Sequence, residues 1–351
     1  MKKIIFSMIL LQAMSLNVLA DNDKNVSSRN EEGVEDLNRS KSNLTSYFWA
    51  QGASPRKDNR GGGGSSVGIT NVSDPLMVSH GGGVMSTVNT TLIFWGKSWA
   101  QPTFVSDKIA GLNSFYNNYQ ASTYTKTVSE YLPKPLSHFL VNQNMDTLTV
   151  ASSNTNKVLL EVCKLAGSNV SSNGTGYYAV YSDIKRGSAS YCAYHSGGMC
   201  GGKPVQFGFF FNLDGDTSCD PQSPYAPPVN KVGAQNPGYI LPKTVSVYAQ
   251  SQGLAALASV SAHELSETIT NPISFSATGS QYWGGWYDAS GAENGDKCAW
   301  TFGPSKVDPT KPGTVLFGTI PWKLQGEWSN AAQKAGTGYL SNGLKGCVSG
   351  S

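Results

Sequence analysis

The chain has 351 residues, with 26 lysines and arginines against 23 acidic residues. So even a balance leaves no electrostatic footprint for nucleic acid or an anionic membrane, and those partners are excluded. The length is enough for a sizeable core within one domain.

Met1-Lys2-Lys3, an apolar run from Ile4 to Val18, and Val18-Leu19-Ala20 follow the order of a secretory signal peptide over residues 1–20. The run is too short to span a bilayer, and no later stretch is long and apolar enough, so no membrane span is expected. The expected location is secreted: extracellular, or periplasmic in transit. Six cysteines, Cys163, Cys192, Cys200, Cys219, Cys298 and Cys347, fit an oxidising compartment. Cys298 and Cys347 share the C-terminal block and are expected to pair. Cys200–Cys219 and Cys163–Cys192 would complete the set. The alternative for Cys163, on an apolar helix face, is a buried free thiol.

Residues 21–66 are polar and read as a disordered tail or pro-segment, closed by the flexible linker Gly61-Gly62-Gly63-Gly64-Ser65-Ser66. Tyr47-Phe48-Trp49 is its one apolar cluster and could dock on the domain. A single domain is expected over 67–351. Thr90 to Gly96 reads as a buried strand, and Ser106 as the cap of a helix over 107–119. A strand is expected over Thr147–Ala151. A helix carrying Leu159, Val162, Cys163 and Ala166 is stopped by Gly167. Strands follow at 177–181, 191–195 and 205–212, then a proline-rich loop over 221–243.

A long helix is expected from Val245 to Thr270, stopped by Pro272. This order predicts an α/β fold: a mixed sheet with flanking helices, comparable by analogy to a zincin-type catalytic domain. From about Gly279 the chain is rich in Gly and Trp (Trp283, Trp286, Trp300, Trp322, Trp328). It is expected to form an irregular, disulfide-pinned lobe with most of its tryptophans buried.

The long helix ends in His263-Glu264-Leu265-Ser266-Glu267. Residues four apart share a helix face, so His263 and Glu267 project together, with Glu264 about 100° round. This is the layout of the H-E-x-x-H zinc helix with Glu in place of the second His, and carboxylate is a zinc ligand too. His263 and Glu267 are the expected metal ligands. Glu264 is the expected general base acting on metal-activated water. The same short pattern also arises on polar faces of surface helices.

Glu293 and Asp296, downstream in Glu293-Asn294-Gly295-Asp296-Lys297-Cys298, are candidates for the remaining ligand, against plain turn chemistry for Asn-Gly-Asp. His195 and His80 are further candidates, each with a hydrogen-bonded structural role as the alternative. Zinc is preferred, with manganese or calcium admitted by the oxygen-rich set. Such a set would raise the pKa of bound water and imply an alkaline optimum. Asn212-Leu213-Asp214-Gly215-Asp216 fails as a calcium loop, because Thr217 and Ser223 stand where Gly and Glu are needed. No G-x-S-x-G supports a serine nucleophile.

In sequence order, the chain resembles the phosphate-induced (exordium-like) family, as a bacterial secreted branch. The resemblance rests on His80-Gly81-Gly82 with Thr91-Leu92-Ile93-Phe94-Trp95-Gly96, on Cys192-Ala193-Tyr194-His195, and on His263 to Glu267 with Thr270-Asn271-Pro272. It continues through Trp286-Tyr287-Asp288, Glu293, Gly295-Asp296-Lys297-Cys298, Gln325, Trp328-Ser329-Asn330 and Cys347. It covers about residues 78–347 and implies export. The plant members are associated with the cell wall and growth signalling, and often lack the His-Glu pair of the helix. The resemblance carries no established reaction.

Two functions are expected from these residues. The first is a secreted metal-dependent hydrolase, a peptidase in the first instance, acting on a peptide or cell-wall polysaccharide as a monomer. The second is a non-catalytic cell-wall or surface-binding module in which the same residues form a structural site. Glu264 separates them: a base must face an open cleft, whereas a structural Glu would be buried and bonded.

Overall fold

The computed structural model describes residues 45–51, 75–148, 151–171, 173–221, 250–341 and 343–350. Six strands form the main sheet: β1 Thr45–Trp49, β2 Thr87–Trp95, β3 Ser137–Asp146, β4 Gly176–Lys185, β5 Tyr191–Cys200 and β6 Lys203–Asn212. Their spatial order is β1-β5-β6-β4-β2-β3. β3, β2, β4 and β6 run parallel, while β5 pairs antiparallel with β6 and β1 antiparallel with β5. The fold is therefore α/β with a mixed sheet, as expected. β2, β4 and β6 read as near-continuous runs of apolar and aromatic residues because both faces of the sheet are covered.

Three helices supply that cover: α1 Lys108–Tyr119, α2 Thr155–Ala166 and α3 Gln252–Thr270. Side chains alternate across a strand, so β5 assigns the faces. A Cβ on Gly197 would meet Ile273, just beyond α3, at 2.8 Å; one on Gly198 would meet Leu159 of α2 at 2.4 Å. α3 thus lies on one face and α2 on the other. α1 shares the α3 face: Leu254 packs where Gly111 has no side chain, and Tyr181 on β4 bonds both Tyr116 and Ser261.

Several sequence expectations are corrected here. β1 draws Thr45–Trp49 out of the expected tail and makes it an edge strand, because Phe48 is buried against the domain at 1% exposure. The folded part therefore includes 45–51, not only residues after 66. α3 begins at Gln252, since Ser251 is the N-cap, accepting from Leu254 N and tied to both oxygens of Asp107. Residues 245–249 of the expected helix, the loop over 222–243 and residues 1–44 lie outside the described residues. Asp107, not Ser106, precedes α1; Ser106 takes a positive φ of 47°. Of the strand expected at 147–151, residues 147, 148 and 151 are not in a strand and 149–150 lie outside the described residues; β3 ends at Asp146, having run through the stretch around His138.

Two disulfides also differ. Cys298–Cys347 is present, but the others are Cys163–Cys200 and Cys192–Cys219. Cys163 on α2 faces the end of β5, which puts it beside Cys200 and excludes a free thiol. Three disulfides fit an oxidising compartment. Among the described residues no helix is long and apolar enough to cross a membrane.

The C-terminal block consists of short hairpins, including Thr314–Phe317 with Ile320–Lys323, and a three-stranded sheet closed by Cys298–Cys347. Trp322 and Trp328 are buried, whereas Trp283, Trp286 and Trp300 are only partly so. Hence fewer tryptophans are fully enclosed than expected.

Candidate metal centre

Every residue of α3 is buried. The helix leans its apolar residues on the sheet and on α1, but its last two turns bury His263, Glu264, Ser266 and Glu267 as well. Burying ionisable groups costs free energy unless they are paired or bound to a cation. What surrounds them therefore matters.

His195 comes from β5, on the face turned to α3. Its Nδ1 lies 3.2 Å from Glu264 Oε2 and 3.5 Å from Glu267 Oε2, and its Nε2 lies 3.7 Å from Glu293 Oε1. One turn along, His263 Nε2 lies 3.1 Å from Glu267 Oε1 and 3.8 Å from Asp296 Oδ1. Two groups result, each with its ligand atoms within 4.8 Å of one another: His195–Glu267–Glu293 and His263–Glu267–Asp296. Two ligand atoms each about 2.1 Å from one ion stand roughly 3–3.8 Å apart, and the His195 Nε2–Glu293, His263 Nε2–Glu267 and His263 Nε2–Asp296 separations fall in or at the edge of that range. All four ligand candidates taken from the motif helix and the downstream loop are therefore brought together, and His195 joins them.

The loop carrying Glu293 and Asp296 is held from several sides. Thr270 Oγ1 donates to Asn294 Oδ1 at 3.0 Å, Asn271 Nδ2 donates to Glu293 Oε1, and Asp296 N donates to Glu267 Oε1 at 2.9 Å. Asp288 accepts from Ser290 and Ala292 within the loop and pairs with Lys297. Gly295 is required by closeness: a Cβ there would stand 2.7 Å from His263 Nδ1 and 2.9 Å from Glu267 Oε1. Gln325, from the C-terminal block, reaches His263 Nδ1 at 2.9 Å.

The charges are uncompensated. Among the described residues no lysine or arginine pairs with Glu264, Glu267, Glu293 or Asp296; the nearby Lys297 is taken by Asp288. Burial, the largest influence, pushes Glu267 and Asp296 up to about 8, and Glu264 and Glu293 well above the usual carboxylate range. Burial likewise drives His263 down to about 4. It opposes protonation of His195 too, but Glu293 and Glu264 together outweigh it and the pKa is raised. Buried atoms without a hydrogen-bond partner cluster here: His195 Nε2, His263 Nε2, Glu264 Oε1, Glu267 Oε2 and Glu293 Oε2. Such a set suits a divalent cation, which would neutralise the carboxylates and use the orphaned atoms.

The centre is closed. His195, His263, Glu264 and Glu267 are fully buried, and only the Asp296 side chain is reached by solvent, at 24%. Phe48 of β1 stacks on the His263 ring at 3.9 Å and is itself covered by Trp300, whose Nε1 donates to Trp49 O. Trp283 stands edge-on to His195 at 5.9 Å. A cavity of about 230 Å³, lined by Thr91, Asn142, Ala166 and Tyr178, opens on the α2 face, away from this centre.

His80 is not part of the group: it is exposed and stacked on Tyr287 at 3.5 Å. His138 is buried against Thr90 Oγ1, with burial holding it down to about 4. Gln325, Asn271 and Gly295 stood in the sequence only as residues carrying the family resemblance, with no part in the centre, since amides and glycines carry no ligand signature of their own. No family model, curated protein or solved structure matches this chain.

Proposed function

We propose that this is a secreted metal-dependent hydrolase, with a peptide bond as the first substrate class to test. The observation that carries the reading is the buried group of two imidazoles and four carboxylates around Glu267, without a lysine or arginine among them. Glu267 and the neighbouring histidines and acids would hold a divalent cation. The cation would supply Lewis acidity and a water of lowered pKa.

Glu264 uses Oε2 to hold His195 Nδ1, the arrangement by which a carboxylate orients a ligating histidine. Its Oε1 makes no hydrogen bond and is the atom that would accept a proton from water. Glu264 would thus combine the base role expected from the motif with a positioning role. Asp296, the one member open to solvent, marks the side from which water would arrive.

The closure of the centre favours a second reading, in which the cation is structural and ties α3 and β5 to the C-terminal block. Glu264 at 0% exposure is what that reading expects. The resemblance to exordium-like proteins is kept as a proposal on the same footing. Its scattered motifs supply His195, His263, Glu267, Asn271, Glu293, Asp296 and Gln325, which meet at one point.

One experiment separates the readings. Purified mature protein is analysed for metal and assayed on a mixed peptide library, beside Glu264→Gln. Hydrolysis that disappears in Glu264→Gln while the metal is retained supports the hydrolase. Metal in both proteins with no hydrolysis in either supports the structural site, and a metal-free protein that takes up none removes both.

A further inference from the structure

The two ligand groups share Glu267, and spacing alone does not say whether they hold one cation or two. The hydrogen bonds of the two rings do. A ligating nitrogen must present a lone pair, so the proton of a neutral imidazole must sit on the other nitrogen.

At His263 the arrangement is set by Gln325. Its Oε1 accepts from Trp300 N at 3.1 Å, and its Nε2 donates to Gly295 O at 3.0 Å. Turning the amide over would set N–H against N–H at Trp300 and carbonyl against carbonyl at Gly295, so its orientation is fixed at both ends. The second hydrogen of Nε2 then points at His263 Nδ1, 2.9 Å away. Nδ1 accepts, and the ring proton is on Nε2. That is the nitrogen facing Glu267 Oε1 and Asp296 Oδ1. The proton stands where a cation in that group would have to be.

At His195 the arrangement is reversed. Nδ1 lies against Glu264 Oε2, with Glu267 Oε2 next nearest. A carboxylate kept ionised by a bound cation only accepts, so in the loaded centre Nδ1 carries the proton and Nε2 is left with its lone pair. Nε2 is buried and lies 3.7 Å from Glu293 Oε1, whose companion Oε2 is unpartnered.

We infer that the centre takes one divalent cation, at His195, Glu267 and Glu293, and that Gln325 excludes a second by keeping a proton on His263 Nε2. This rests on the metal-centre reading above and refines it. His263 then acts as a hydrogen-bonded neighbour of the ligand Glu267, and Gln325 is a positioning residue that fixes the number of ions.

The test titrates metal-stripped full-length protein with zinc, counts bound zinc by elemental analysis, and records long-range proton–nitrogen NMR spectra of the zinc-loaded wild type. One zinc per chain is expected, with His263 in the Nε2–H form and His195 in the Nδ1–H form. His195→Gln is expected to weaken zinc by more than about 100-fold, and His263→Gln by the roughly 10–100-fold of a lost outer neighbour. Gln325→Glu, which can accept a proton from Nδ1 and so free Nε2, is expected to bind a second zinc.

Two zinc ions in wild type, the opposite pair of ring forms, or the opposite ranking of the two histidine variants would overturn the inference while leaving a metal centre standing. A folded Gln325→Glu that still takes one zinc would overturn the role given to Gln325. No zinc in wild type removes the inference and the metal reading together. The NMR arm uses unmodified protein and decides the ring forms even where a variant fails to fold.

Discussion

Glu267 turns its two carboxylate oxygens to different histidines: Oε1 is 3.1 Å from His263 Nε2, and Oε2 is 3.5 Å from His195 Nδ1. One side chain therefore joins the helix, the sheet and the downstream loop, because Oε1 also accepts from Asp296 N. Both ligand groups fail without it.

Glu267→Gln keeps the shape and one acceptor oxygen but removes the charge. Zinc affinity should fall by more than the ~100-fold at the upper end for outer-shell changes. The fold should survive, because an uncharged amide is easier to bury than a carboxylate. Isothermal titration beside a thermal melt reads both; unchanged zinc affinity would remove Glu267 from the centre.

The pH dependence of the metal-free protein follows from Glu267 and Asp296, both raised to about 8 by burial. Unfolded carboxyls titrate near ~4. Between about pH 4 and 8 the folded chain holds more protons than the unfolded one, so stability falls as pH rises through that window. It is fully present below about 4 and lost above about 8. Bound zinc replaces those protons, so zinc affinity should climb over the same window. Urea midpoints at pH 5 and pH 8, with and without zinc, check it. A metal-free protein that is more stable at pH 8 than at pH 5 would contradict the assignment.

Phe48→Ala removes the ring stacked on His263 and under Trp300. A buried Phe→Ala change costs about 3–5 kcal/mol, and much of that should appear as release of edge strand β1. With the cover gone, zinc exchange should quicken. Stopped-flow release to a chelator measures the rate, and an unchanged rate would mean that ions reach the centre by another side.

The Cys298–Cys347 bridge closes a 49-residue separation and lies next to Asp296 and Lys297. Loop-closure entropy assigns it about 4 kcal/mol. A Cys298→Ala, Cys347→Ala double variant should lose stability on that order and also bind zinc more weakly, because the Asp296–Cys298 turn loses its anchor. Chemical denaturation and zinc titration of the same preparation separate the two effects.

The sequence alone was enough for much of what depends on neighbours along the chain, though not for the cap of α1 or the position of β3. The alternation and apolar runs of β2, β4 and β6 announce strands. The i, i+4 spacing puts His263 and Glu267 on one face, and Asn271-Pro272 ends the helix. These are local consequences of backbone period and of proline's missing donor.

Tertiary structure decided what depends on contacts between distant segments. His195 and Glu264 meet across 69 residues, and Gln325 meets His263 across 62. The pairing of Cys163 with Cys200, and of Cys192 with Cys219, follows from which strand and helix lie side by side. Phe48, in a stretch polar enough to read as a tail, is placed by the shape of the cleft it fills. No period or spacing encodes such meetings, because they are settled by packing and by the need to satisfy buried polar groups together.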